Sequence, residues 1–132
     1  MLPAFNLGIF NAGTKGGVTD YNVFDVIAGK SLPLNTGRVH AGYYVGNENL
    51  LKDSSGNIDN KGYMLGYDKF VYKDKLLFAA DYASGKNALG GGGVGLYYFF
   101  TSNISLLVGP VWFNDAGING ETKWTSQLDI NF

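Results

Sequence analysis

The sequence predicts an all-β chain folded as a transmembrane, antiparallel, up-and-down β-barrel of eight strands. Three observations lead there. Walking back from the C-terminus, Phe132, Ile130, Leu128, Ser126 and Trp124 alternate with Asn131, Asp129, Gln127, Thr125 and Lys123, and a side-chain period of two makes a strand with one apolar and one polar face. Charged residues are 16% and aromatics 15% of the chain, against about 25% charged in ordinary soluble domains. No run approaches the ~18 apolar residues of a membrane-spanning helix, so a chain of this composition that enters a bilayer must cross it with closed strands, which satisfy every backbone group in hydrocarbon.

Turn residues (Gly, Asn, Asp, Ser, Pro) divide the chain into eight extended segments. The first, 4–11, alternates Phe5, Leu7 and Ile9 with Asn6 and Gly8. The second, 21–31, sets Phe24, Val26 and Ala28 against Asp25, and stops before the turn at 32–36. The third, 37–47, sets Val39, Ala41, Tyr43 and Val45 against Arg38, His40, Gly42 and Tyr44. Strand 61–72 carries Tyr63, Leu65 and Tyr67 opposite Gly66 and Asp68, and Lys73-Asp74 turns it into 75–84, with Ala80 and Tyr82 opposite Asp81. Strand 91–101 carries Leu96, Tyr98 and Phe100; Ser102-Asn103 turns it into 104–114, and 123–132 closes the chain. The loops 12–20, 48–60, 85–90 and 115–122 are long and the turns 32–36, 73–74 and 102–103 are short. Short turns on one rim and long loops on the other are what membrane barrels show.

The register follows from the same parity. A turn at 101–103 places Phe100 opposite Ile104, Tyr98 opposite Leu106 and Leu96 opposite Val108. The last hairpin is expected to set Trp112 opposite Trp124, Val108 opposite Leu128, Leu106 opposite Ile130 and Ile104 opposite Phe132. A slip of one residue would turn every side chain to the other face. Lys69 falls on the apolar face near the short-turn rim, where it can snorkel, and Pro110, which has no ladder donor, predicts a bulge. Tyr82, Trp112, Trp124, Tyr63 and Phe24 fall toward the long-loop rim; Phe5, Phe100 and Phe132 fall toward the other. Two aromatic belts separated by aliphatics are the pattern of interfacial girdles.

A terminal aromatic closing such a strand (Trp124, Leu128, Ile130, Phe132) resembles the assembly signal of Gram-negative outer-membrane β-barrels. The resemblance implies an outer-membrane location, a lipid bilayer or detergent as the surrounding medium, and the barrel-assembly machinery as a partner. Small barrels of the OmpA and OmpX class are one form. The segment from Gly90 onward also resembles the closing strands of a larger porin-like protein, in which case two chains, a homodimer, could complete one pore. The competing soluble reading, a sandwich or lipocalin-like barrel, would bury the two Trp side chains, each then needing an indole N–H partner.

Other classes receive little support. The 132 residues form a single domain, and a net charge of −1 gives no electrostatic case for nucleic acid. There are no cysteines, hence no disulfide framework or thiolate site. No secretory leader is legible before Phe5-Asn6-Leu7-Gly8-Ile9, so Met1 is read as opening a mature chain. The inward face is expected to carry a polar network of Asp25, Arg38, His40, Asp68, Asp81, Lys123, Gln127 and Asp129. At least two of its carboxylates should bond to Arg38 and Lys123 and the others to hydroxyls, amides or trapped water, because unpaired charge in a narrow interior is costly. Inward Phe99, Leu107 and Val111 suit the filled interior of a closed eight-stranded barrel better than a wide channel.

His40 is the only histidine. With Asp25, Asp68 or Asp81 it could form the acid–base pair of an outer-membrane hydrolase, but no nucleophile motif accompanies it, and the sequence predicts no enzyme. Scattered aspartates with one histidine make no metal site, and no cofactor is indicated. Gly90–Gly93 lacks the Lys-Ser/Thr of a phosphate loop. The loop 48–60 lacks calcium-loop spacing and reads as a solvated external loop. The expected role is structural or that of a minor passive pore; the alternatives are the C-terminal half of a larger porin carrying ions or small solutes, and a hydrolase using His40.

Overall fold

The computed structural model describes residues 2–132, so Met1, read above as the start of a mature chain, lies outside the described residues. Eight strands follow in order: β1 (Ala4–Phe10), β2 (Val23–Ser31), β3 (Arg38–Val45), β4 (Lys61–Tyr72), β5 (Leu76–Ala83), β6 (Gly91–Phe99), β7 (Ile104–Phe113) and β8 (Lys123–Ile130). They form one antiparallel sheet in which every strand pairs with its sequence neighbour. Helix is confined to a 3-10 turn at Pro33–Asn35 and one turn, α1 (Ala116–Asn119), neither of which the period analysis anticipated. No described helix is long and apolar enough to cross a membrane.

One face holds Phe5, Leu7 and Ile9 of β1 beside Ala28, Val26 and Phe24 of β2, and these lead through Ala41, Tyr43 and Val45 of β3 to Tyr63 and Leu65 of β4. The apolar row continues through Leu65 opposite Tyr82 and Tyr67 opposite Ala80 to the far edge. Its side chains are open to the surroundings: Leu7 is 80% and Leu128 58% exposed.

The sixth turn has the anticipated register, with Leu96 opposite Val108 and Tyr98 opposite Leu106. The last hairpin does not. Trp124 faces Pro110, Leu128 faces Leu106 and Ile130 faces Ile104, a slip of two residues from the expected pairing that leaves every side chain on its expected face. Pro110 makes no bulge; the ladder instead breaks opposite Val94 and Gly95 and resumes unshifted at Gly93 and Val111. The phase explains the site of the break. Phe100 N–H bonds Ile104 O, and bonded pairs recur at every second residue, so position 110 would have to donate to Val94, and proline has no donor. The one register shift in the sheet lies between Phe70 and Tyr72, beside the Lys73 turn.

The expected closure into a ring is corrected. Among the described residues β1 pairs only with β2 and β8 only with β7, so the sheet has two free edges. The long-loop end of the inner face is occupied by Val23, Tyr44 and Leu51, packed with Phe10, Tyr21, Met64, Ala88 and Leu89. Leu51 and Leu89 come from loops, and the interior of an eight-stranded ring has room for little beyond strand side chains.

Candidate functional site on the inner face

The inner face is made by alternating glycine and large residues across strands. Asp25 lies over Gly8, Ile27 over Gly42, His40 over Gly66 and Tyr44 over Gly62; a β-carbon on any of these glycines would meet the neighbouring side chain. In each pair the glycine stands directly opposite the large residue. The absence of one side chain makes the bed for the other, which is why these strands tolerate glycine despite its low strand preference.

The structure places the eight polar residues of the predicted network on this face but does not unite them. Arg38 and Asp68 are cross-strand partners and form an ion pair, Nε to Oδ1 2.9 Å. Lys123 turns away from the carboxylates and donates to the backbone oxygen of Asn119 at 2.8 Å, with its ammonium 5.6 Å from the centre of the Phe113 ring. Gln127 donates to Asp129 at 2.6 Å. Asp25 and Asp81 make no side-chain hydrogen bond among the described residues, so the expectation that two or more carboxylates pair with cations is met only at Asp68.

His40 has no hydrogen-bond partner among the described residues. Asp81 is the residue across Gly66 from it, two strand spacings away, or about 10 Å between backbones. No described group of three or more His, Asp or Glu residues could hold a metal. A depression of about 360 Å³ near loop 84–90 is lined by inner-face Ile27, His40, Met64 and Val111 and by Leu65, Tyr82 and Trp112 of the outward face.

The long loops fold into a hydrogen-bonded cap that sequence reasoning missed. Tyr44, 1% exposed, donates to Ser84 O at 2.7 Å and accepts from the Asn87 amide at 2.9 Å. That amide also donates to Asp59 O, while its oxygen accepts from Leu89 N–H at 2.8 Å and Gly90 N–H at 3.1 Å. Asn114 reaches Gly85 O at 2.7 Å, and Asn119 reaches Ala88 O at 3.0 Å. Asp115 caps α1 by accepting from Gly117 N–H, and its second oxygen accepts from Ser54 N–H at 3.0 Å. Loop 48–60 is therefore not simply solvated, since its Leu51 is fully buried. The sequence signal was the density of Asn and Asp in the long loops, side chains suited to bonding loop backbone.

The predicted aromatic positions divide between the two ends of the sheet. Phe24, Tyr82, Trp112 and Trp124 lie beside the long loops, and Phe5, Phe100 and Phe132 beside the short turns. Comparison with protein-family models, with curated proteins and with solved structures gave no match.

Proposed function

We propose that this chain is a wall of an outer-membrane β-barrel that serves as a passive pore for ions or small solutes, its sheet completed at β1 and β8 by further strands. The observation that carries the reading is an outward face that is apolar from β1 to β8, with Lys30, Lys61 and Lys69 toward the strand ends and Ser126 the exceptions, on a sheet with both edges unpaired. In hydrocarbon, each unsatisfied backbone group costs several kcal/mol, so such edges call for strands beside them. This favours the larger-pore alternative over a small closed barrel. The terminal Trp124, Leu128, Ile130 and Phe132 are the segment offered to the assembly machinery. Nothing in the placement of His40 favours a hydrolase, which would need its carboxylate within hydrogen-bond reach.

The test is cysteine crosslinking of a Phe5→Cys, Phe132→Cys double variant refolded into lipid vesicles. Strands completed from outside the chain give crosslinked dimers and higher species. Efficient crosslinking within a monomer would overturn the proposal and restore the small closed barrel.

A further inference from the structure

We infer that the outward face carries, at its short-turn rim, a binding site for the headgroup of an anionic phospholipid, its phosphate held between Lys30 and Lys69. The inference rests on the proposal that this face meets lipid. Charge on the outward face of the strands is sparse and of one sign. Lys30, Lys61 and Lys69 stand there, opposite Val39, Val45 and Phe78. The strand carboxylates Asp25, Asp68, Asp81 and Asp129 lie on the inner face, opposite Gly8, Arg38, Gly66 and Ser105. Two of the three outward lysines fall at the same rim, on β2 and β4, with only β3 between them.

The local geometry gives the two lysines a common target. Their strands are two spacings apart, about 10 Å between backbones, a gap that two lysine side chains close around one phosphate. No side chain stands on Gly37, where β3 begins, and a β-carbon there would come within 2.7 Å of the Tyr67 ring. The Tyr67 hydroxyl donates to Thr36 O at 2.7 Å, so its ring lies over the start of β3, between the strands that carry the lysines. Lys73, in the following turn, adds a further ammonium 5.5 Å from the centre of the Tyr72 ring. Lys30 lies two residues beyond Ala28, the partner of Phe5, and so just outside the aromatic belt, at headgroup depth. Countercharge from the protein is limited. Arg38 and Asp68 pair with each other, and among the described residues Asp74 forms no ion pair with the lysines around it. A phosphate supplies a charge and several acceptor oxygens to ammonium donors, and lysines at a membrane surface favour anionic lipid.

The experiment folds the chain in vesicles of equal phosphatidylcholine and phosphatidylglycerol, extracts it in mild detergent, and counts the retained phospholipid by native mass spectrometry. Phosphatidylglycerol is expected to be retained about tenfold over phosphatidylcholine, the order that two lysines beside an anionic headgroup supply. Lys30→Gln with Lys69→Gln should bring the two lipids close to parity. Lys61→Gln with Lys86→Gln, which removes the same charge at the long-loop rim, should leave the preference in place. Equal retention by the unmodified protein, or an equal loss in the Lys61/Lys86 variant, would overturn the inference even if the Lys30/Lys69 variant failed to fold. A chain that folds in phosphatidylcholine yet shows no preference sinks this inference alone; a chain that folds in neither lipid sinks the membrane reading and the inference with it.

Discussion

The imidazole of His40 occupies the space above Gly66, so that its Nε2 is the atom nearest to where a β-carbon on Gly66 would be. The two residues are direct cross-strand partners. The only histidine of the chain is thus held by packing against a bare backbone, without a hydrogen bond among the described residues.

This relationship predicts an asymmetric pair of variants. Gly66→Ala adds a carbon where the ring lies and should destabilise the folded sheet by about 1–3 kcal/mol, the usual range for overpacking. His40→Ala removes packing over Gly66 but no hydrogen bond among the described residues, and should cost at most about 1–2 kcal/mol. Because one change makes room for the other, the double variant should be more stable than the sum of the single losses indicates. Urea unfolding in vesicles, followed by heat-modifiable gel mobility, measures all three; strict additivity would show that the ring does not rest on Gly66.

The Tyr44–Asn87 bond gives a second expectation. Asn87→Ala leaves the N–H groups of Leu89 and Gly90 and the oxygen of Asp59 without their side-chain partner, and should cost about 1–3 kcal/mol. Tyr44→Phe leaves Ser84 O without its donor but keeps the ring in place, and should cost less, about 0.5–1.5 kcal/mol. Limited proteolysis in loop 46–60 is the direct readout. Cleavage should accelerate more for Asn87→Ala than for Tyr44→Phe; the reverse order would place the hold elsewhere.

The outline of this fold was legible because it rests on a two-residue period. The eight strands and the face of each side chain follow from alternation, and the short Ser102-Asn103 turn fixes the β6–β7 register as well. The same period hides other features. Alternation is blind to a slip of two residues, so it could not choose between Trp112 and Pro110 as the partner of Trp124 across the longer connection that contains α1. Closure depends on how the whole interior is filled, and the burial of Leu51 and Asn87 arises from loops meeting across long sequence distances. The glycine beds under Asp25, Ile27, His40 and Tyr44 become visible only once the register is known. Gly66 in isolation reads as a weak point in a strand.

Loop order should respond to acid in a defined direction. The Ser54 hydrogen bonds and the Gly117 amide hold the Asp115 carboxyl below the ordinary aspartate value of 3.8, and Asn57 first among its partners does the same for Asp53. A carboxyl with a depressed folded value stabilises the folded contact at pH above its unfolded value, and the contribution fades as pH falls through the lower, folded one. The Ser54 amide resonance should therefore stay constant from neutral pH down to the usual aspartate range and move only below it. Asp115→Asn should flatten that transition, and a Ser54 midpoint above 3.8 would contradict the contact.

The membrane reading makes the sharpest stability prediction at two positions of β8, three residues apart and on opposite faces. Leu128 lies on the apolar outward side opposite Leu106, and Thr125 lies on the inner side opposite Gly109. Both sit on the same edge strand, so lateral neighbours affect them alike. If the outward face meets lipid, Leu128→Arg should cost about 2–4 kcal/mol when the position lies near the midplane, and less toward an interface. Thr125→Arg should cost clearly less, because its guanidinium remains in the polar interior. Reversible unfolding from phospholipid vesicles gives both values. Equal costs, or a wild-type chain that is a monodisperse monomer without detergent, would refute the assignment of the outward face to lipid.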